Sequence, residues 1–147
     1  MKIDTFRGDY FFLSNFYEAT VTYKGLTYGT SEAAYQAQKC MAEEEKAEFC
    51  AISPKAAKEK GHLMQQRPDW DCVKVGVMEE IVRCKFAQNE DLKAMLLGTG
   101  DAILEEGNTW GDTFWGVVTS GHGQNHLGKI LMKIRSELAA EDQRNRC

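Results

Sequence analysis

Basic residues are the minority charge in this chain: 18 Lys+Arg stand against 22 Asp+Glu, a formal net charge of −4. That balance excludes a broad basic clamp on a nucleic-acid backbone and leaves only a local pocket for one or two phosphates. Long apolar runs are absent. No stretch approaches the roughly 20 residues of a membrane span, and Met1-Lys2-Ile3-Asp4 opens without an apolar leader segment. The five cysteines are odd in number, and none form a C-x-x-C pair. A reduced, cytoplasmic protein without a disulfide frame is the expectation. Cys40, Cys50, Cys72 and Cys84 read as packing residues, and Cys147 as an exposed terminal thiol. With three histidines and no H-E-x-x-H, no metal is expected. No G-x-G-x-x-G or P-loop points to a cofactor either. Prolines are scarce. Pro54 and Pro68 both fall where a helix would start. No linker, repeat or low-complexity stretch is visible, so residues 1–147 read as one domain, with the polar tail 141–147 expected to fray.

What remains is an ordinary globular composition, 43% hydrophobic and 27% charged. The first thirty residues read as β structure and loops. Ala19–Tyr23, Lys24-Gly25 and Leu26–Tyr28 form a hairpin pattern, with some of Tyr10, Phe11, Phe12 and Phe16 expected to pack on it. A helical pattern follows from an N-cap at Thr30-Ser31 and covers 32–41. Further helices are predicted over 43–50, from Ser53-Pro54 to a stop at Gly61, and from Pro68-Asp69 onward. On that last one Trp70, Val73, Val77, Ile81 and Cys84 recur at threes and fours. A short helix spans 91–97 and ends at Gly98 and Gly100. Residues 102–106 read as a strand and 107–123 as a glycine- and tryptophan-rich loop. A loop of that length in a small domain usually serves a site. The last helix, 125–140, carries an apolar stripe of Leu127, Ile130, Leu131, Ile134 and Leu138. The fold class is therefore helix-rich α+β, with a small N-terminal β-hairpin packed on a helical bundle.

Three clusters can carry chemistry. In Ser31–Lys39, a helix would place Glu32, Gln36 and Lys39 on one face at i, i+4 and i+7. Glu32 and Lys39 would then stand about 10 Å apart along the axis. That is too far for an ion pair and suits two groups meeting one ligand. The plainer reading makes Glu32 a first-turn carboxylate facing the helix dipole and Lys39 a solvated lysine. In Asn108–Gly116, Trp110 and Trp115 flank Asp112. Loop aromatics can stack on nucleobases and a carboxylate can move a proton, while the plain reading is two core plugs and a turn former. In Ser120–Gly128, glycines precede a helix start, where free N–H groups can hold an anion; Asn125 is equally a simple N-cap. Near the N-terminus, Arg7 beside Gly8 could grip a phosphate. Ser14-Asn15 could line a pocket or cap a turn.

Taken in order, these motifs resemble the NADAR (YbiA-like) family. The resemblance runs from Phe6-Arg7-Gly8 and Leu13-Ser14-Asn15-Phe16 through Ser31-Glu32 and Tyr35-Gln36-Ala37-Gln38-Lys39. It continues over Trp70, Met78, Lys85-Phe86, Leu96-Leu97 and Thr99-Gly100. Asp112, Trp115-Gly116, Asn125, Leu127-Gly128 and Leu131-Met132 complete it. Each piece is weak; the ordered set over nearly the whole chain is specific. The resemblance implies an N-glycosidase fold built for ADP-ribose-like ligands. Its substrate would be a small nucleotide-like intermediate of riboflavin biosynthesis or an ADP-ribosylated guanine in nucleic acid. It carries catalytic roles onto Glu32, Lys39 and Asp112, and substrate-binding roles onto Arg7, Ser14, Asn15, Gln36, Trp115 and Asn125. One departure stands out: Val118 occupies a position where the family pattern has a second glycine, which implies a rebuilt loop.

The implied chemistry is cleavage of a ribosyl–nitrogen bond through an oxocarbenium-like state. In it Glu32 would stabilise positive charge, Lys39 would attack C1 as a neutral amine, and Asp112 would protonate the leaving base or orient water. A non-catalytic ADP-ribose or NAD reader using the same pocket is the alternative. A purely helical interaction module is the third reading, and no apolar stripe is left over to favour it.

Overall fold

A computed structural model describes residues 1–146; the expectation for Cys147 lies outside them. The elements in order are β1 (Lys2–Ile3), a 3-10 segment (Gly8–Leu13), β2 (Val21–Tyr23), β3 (Leu26–Tyr28), α1 (Ser31–Ala37), α2 (Glu43–Lys46), a 3-10 turn (Ala47–Phe49), α3 (Pro54–Leu63), α4 (Trp70–Gln88), α5 (Glu90–Gly98), β4 (Ile103–Leu104), β5 (Gly107–Asn108), β6 (Val117–Val118) and α6 (His126–Arg146). This is a helix-rich α+β chain with small strand pairs. Its contacts divide it into two units, one of Asn15–Asn89 and one of Met1–Ser14 with the chain from Glu90 onward.

The unit Asn15–Asn89 is built around α1. β2 and β3 pair antiparallel with Val21 opposite Tyr28 and Tyr23 opposite Leu26. Lys24 and Gly25 both hold positive φ, 49° and 87°, the signature of the tight turn that the sequence predicts there. The hairpin contacts α1 and α4. The Gln88 carboxamide at the end of α4 clasps β2, donating to the Thr22 carbonyl and accepting from the Thr22 N–H, both at 2.8 Å. A side chain thus satisfies the hairpin's exposed edge. Thr30 caps α1 by accepting from Ala33 N at 3.1 Å. Every residue of α1 is buried, because Ala33, Ala34 and Ala37 have no bulk to hold α3 and α4 away.

Helix α1 stops at Ala37, short of the predicted 41. Gln38, Lys39 and Cys40 instead donate to carbonyls three residues back, Tyr35, Gln36 and Ala37. This is the 3-10 tightening common at helix ends. The segment 43–50 likewise splits into α2 and a 3-10 turn. α3 runs two residues past Gly61, which is buried inside it rather than ending it. On α4 the buried face is Trp70, Met78, Ile81, Val82, Lys85 and Phe86. Val73, Val77 and Cys84, expected on the core stripe, are only half-buried.

In the other unit, β1 pairs parallel with β4, Lys2 opposite Ile103 and Ile3 opposite Leu104. β5 pairs parallel with β6, so the stretch read as an irregular loop contains two short strands. α5 and β4 pack on α6. The predicted stripe Leu127, Ile130, Leu131, Ile134 and Leu138 is buried throughout. α6 continues to Arg146, past the predicted 140, and Lys93 of α5 meets Asp142 there at 2.8 Å. Tyr10, Phe11 and Phe12 belong to the 3-10 segment of this unit.

Candidate active site on the first helix

Glu32, Gln36 and Lys39 are buried, 8%, 4% and 8% exposed. The solvated lysine of the plainer reading is therefore excluded, while Glu32 does stand in the first turn of α1. A carboxylate and an amine do not leave water without a use or a partner. Gln36 Nε2 donates to Glu32 Oε1 at 3.0 Å, one turn back on the helix. Lys39 Nζ makes a long 3.5 Å contact with the Gly61 carbonyl of α3. The 3-10 turn matters here, since side chains three apart eclipse in that geometry. Lys39 lies in that turn three residues after Gln36, so the two share one face.

Burial is the main force on the Lys39 amine and lowers its pKa; Glu32 pulls it back up, and Lys74 lowers it further. The Glu32–Lys39 attraction means that the two groups share one electrostatic neighbourhood. Asn15, also buried, holds the start of the helix. Its carbonyl accepts from Glu32 N at 3.1 Å, and its Oδ1 accepts from Ser31 Oγ at 2.7 Å. Its Nδ2 faces Met78 Sδ of α4 at 3.4 Å. Asn15 thus fixes the backbone that carries Glu32, and both ends of its side chain are engaged in doing so.

The remaining predicted residues lie in the other unit. Asp112 Oδ1 accepts from Phe114 N at 3.1 Å and Trp115 N at 2.9 Å. Asn108 braces the same turn, donating to the Asp112 carbonyl and accepting from Asp112 N. The carboxylate therefore organises its loop, as the turn-former reading had it. Trp115 is half-buried, edge-on to Phe114 with ring centroids 4.9 Å apart, and Phe114 lies 4.4 Å from the His126 ring. Asn125 does not cap α6 through its side chain. It sits at φ 54°, its Nδ2 donates to the Leu104 carbonyl at 2.9 Å and its Oδ1 accepts from Glu106 N at 3.0 Å. That is a clasp between the start of α6 and the β4–β5 connection. Arg7 is exposed at the start of the 3-10 segment, and Ser14 ends that segment, donating its N–H to the Phe11 carbonyl. Val118 takes its place in β6 beside Asn108.

Sequence reasoning missed two residues. The sequence pattern predicts a helix stop at Gly61, although a glycine inside a helical pattern is itself a sign of close packing. Lys85 is 1% exposed, and burial pushes its pKa down to about 7. Its position four residues after Ile81 and seven after Met78 is the available signal.

No helix among the described residues is long and apolar enough to cross a membrane. Residues 4–139 match the NADAR domain. The chain is 39% identical over 136 residues to N-glycosidase YbiA of Escherichia coli, covering 90% of this chain and 84% of that protein. It is 44% identical over 132 residues to a riboflavin biosynthesis protein of Vibrio vulnificus, covering 86% of this chain but only 35% of that longer protein. The solved structure of E. coli YbiA superimposes with a TM-score of 0.84 at 36% identity, over 97% of this chain and 86% of that one. This chain belongs to the NADAR domain family.

Proposed function

We propose that the protein is an N-glycosidase that hydrolyses a ribosyl–nitrogen bond at the α1 site. The observation that carries this reading is the buried pair Glu32 and Lys39, with the lysine's affinity for its proton reduced by that burial. The names of the E. coli and Nostoc punctiforme relatives, both N-glycosidases, support the reaction class. A lysine is a nucleophile only as the neutral amine, so a depressed pKa favours attack near neutral pH. In the proposed sequence the Lys39 nitrogen adds to the sugar C1 while the C1–N bond breaks and the leaving nitrogen takes a proton. The ring oxygen then takes a proton as the ring opens to a Schiff base. Water hydrolyses the Schiff base, returning the free sugar and the amine. Glu32 stabilises positive charge at C1 or handles a sugar-hydroxyl proton.

The proposed substrates are ADP-ribosylated guanine and the ribosylaminopyrimidine phosphates of riboflavin biosynthesis, the latter supported by the name of the Vibrio relative. The test is product analysis by mass spectrometry with each substrate in turn. Wild type is expected to release ADP-ribose or ribose phosphate, and Glu32→Gln and Lys39→Ala to lose at least about two orders of magnitude in kcat while keeping the fold. Full turnover in both variants overturns the assignment. Binding without release by wild type replaces the enzyme with a reader of ADP-ribose.

A further inference from the structure

Gln36 Oε1 is a buried side-chain oxygen without a hydrogen-bond partner, the one such atom found among the described residues. Orphaned buried acceptors are rare in folded proteins and are retained where something else fixes the group. Here the other end of the carboxamide is committed: Nε2 donates to Glu32, which leaves Oε1 pointing at α3. It rests against Gly61. A Cβ on Gly61 would lie 1.9 Å from Gln36 Oε1 and 2.8 Å from Cδ. Glycine inside a helix is otherwise unfavourable relative to alanine, and the three atoms nearest to a Cβ at 61 all belong to this one side chain. The same residue's carbonyl receives Lys39 Nζ.

We propose that Gly61 is a positioning residue for the Glu32–Lys39 pair, its missing side chain letting Gln36 press against α3 and aim Nε2 at Glu32 while its carbonyl holds Lys39. This deepens the glycosidase reading and rests on it. Gly61 has no side chain to take part in the reaction; its carbonyl meets the Lys39 amine at 3.5 Å. It acts through Gln36 on the carboxylate and through its own backbone on the amine. The two closest contacts of a methyl group at 61 are with the far end of a flexible side chain, with Gln36 Cβ next at 3.3 Å, so the fold accommodates it by swinging the carboxamide away, and Glu32 loses the Gln36 donor.

The test is kinetics, melting and NMR on Gly61→Ala, Gln36→Met and the double variant. Methionine keeps the volume of Gln36 and lacks the donor. Gly61→Ala is expected to lower kcat about tenfold to a hundredfold with KM within about twofold. Its melting temperature should be unchanged or raised, a combination that a purely structural glycine would not give. In the Gln36→Met background the same change should cost no further kcat, because the relay is already broken. In wild type the Gln36 side-chain amide protons should shift as the Glu32 carboxylate titrates; in Gly61→Ala that response should vanish. Wild-type kcat in Gly61→Ala, or losses that multiply in the double variant, overturns the proposal. Should Gly61→Ala fail to fold, Gln36→Met decides: undiminished kcat overturns the relay and a matching loss upholds it. Should wild type cleave none of the substrates, the glycosidase reading falls and the amide titration alone judges the positioning geometry.

Discussion

Burial and a neighbouring carboxylate act on the Lys39 amine in opposite directions, and burial is the larger. If the neutral amine is the nucleophile, the acid limb of the pH–rate profile belongs below an exposed lysine's 10.5. Glu32→Gln removes the influence that raises the pKa, so the residual activity should show that limb at lower pH than wild type. Single-turnover rates across pH check this, and an unmoved limb would mean that the limb is not set by Lys39. Asp112 calls for a different pair of substitutions. Its Oδ1 holds two backbone N–H groups. Asp112→Asn keeps an acceptor there and should stay folded, whereas Asp112→Ala leaves both donors without it and should destabilise by about 1–3 kcal/mol, read by urea denaturation. Loss of turnover in the asparagine variant, with stability intact, would show that the charge itself is needed. At this scale the sequence made Glu32 and Lys39 legible by spacing alone. The α-helical spacing holds for Glu32 and Gln36 but not for Lys39, which lies beyond Ala37 in a 3-10 turn. Gly61 was illegible because its partner, Gln36, is 25 residues away in sequence and on another helix.

Helix α4 carries a lysine through the core, and that has a measurable consequence. Lys85 has its pKa lowered by burial from 10.5 to about 7. Between those values the unfolded chain binds a proton that the folded chain lacks, so stability rises with pH, by about 1.4 kcal/mol per unit for this group. The thiols of Cys40 and Cys84, whose pKa values burial raises from 9.0, and then Tyr28 limit the window from above. Burial raises the Tyr28 pKa from 10.0 to about 12, so the folded chain holds that proton longer and stability falls as pH passes 10. Chemical denaturation from pH 7 to 9 should therefore show a rising ΔG, and Lys85→Met should reduce that slope to the part that Lys39 contributes. An equal slope in the variant would place the buried charge elsewhere. Asn125, at the start of α6, is the second such element-level joint. Asn125→Ala gives up a left-handed position that asparagine tolerates and strips partners from the Glu106 N–H and the Leu104 carbonyl. The cost should be roughly 3 kcal/mol, a fall in Tm on the order of 10 °C for a chain of this size. Elements with strong local signals were legible: the Lys24-Gly25 turn, the Thr30 cap and the α6 stripe. The rotated face of α4 and the β5–β6 pair were not, because long-range packing and pairing decide them.

For the molecule as a whole, charge bears on which of the two proposed substrates is taken. A chain of net charge −4 presents no general attraction to a polyanion, so whatever holds phosphate must be local. A free nucleotide asks for one or two phosphate contacts. A modified base within DNA adds the flanking backbone, and each phosphate neutralised there contributes roughly 0.9 to the slope of log affinity against log salt. The expected result is a shallow slope, of the order of one or two contacts, with kcat/KM for ADP-ribosylated guanosine no lower than for the same base in an oligonucleotide. Measuring kcat/KM for both between 50 and 200 mM salt, a range over which a many-contact protein loses about 10³ or more in affinity, separates the cases. A steep slope confined to the oligonucleotide would reveal a basic path that the net charge conceals, and would make nucleic acid the substrate. Equal shallow slopes with a preference for the ribosylaminopyrimidine phosphates would place the activity beside the Vibrio relative's named role in riboflavin biosynthesis. In either case Glu32 and Lys39 would do the same chemistry, and the substrate would be chosen by what holds the rest of the molecule.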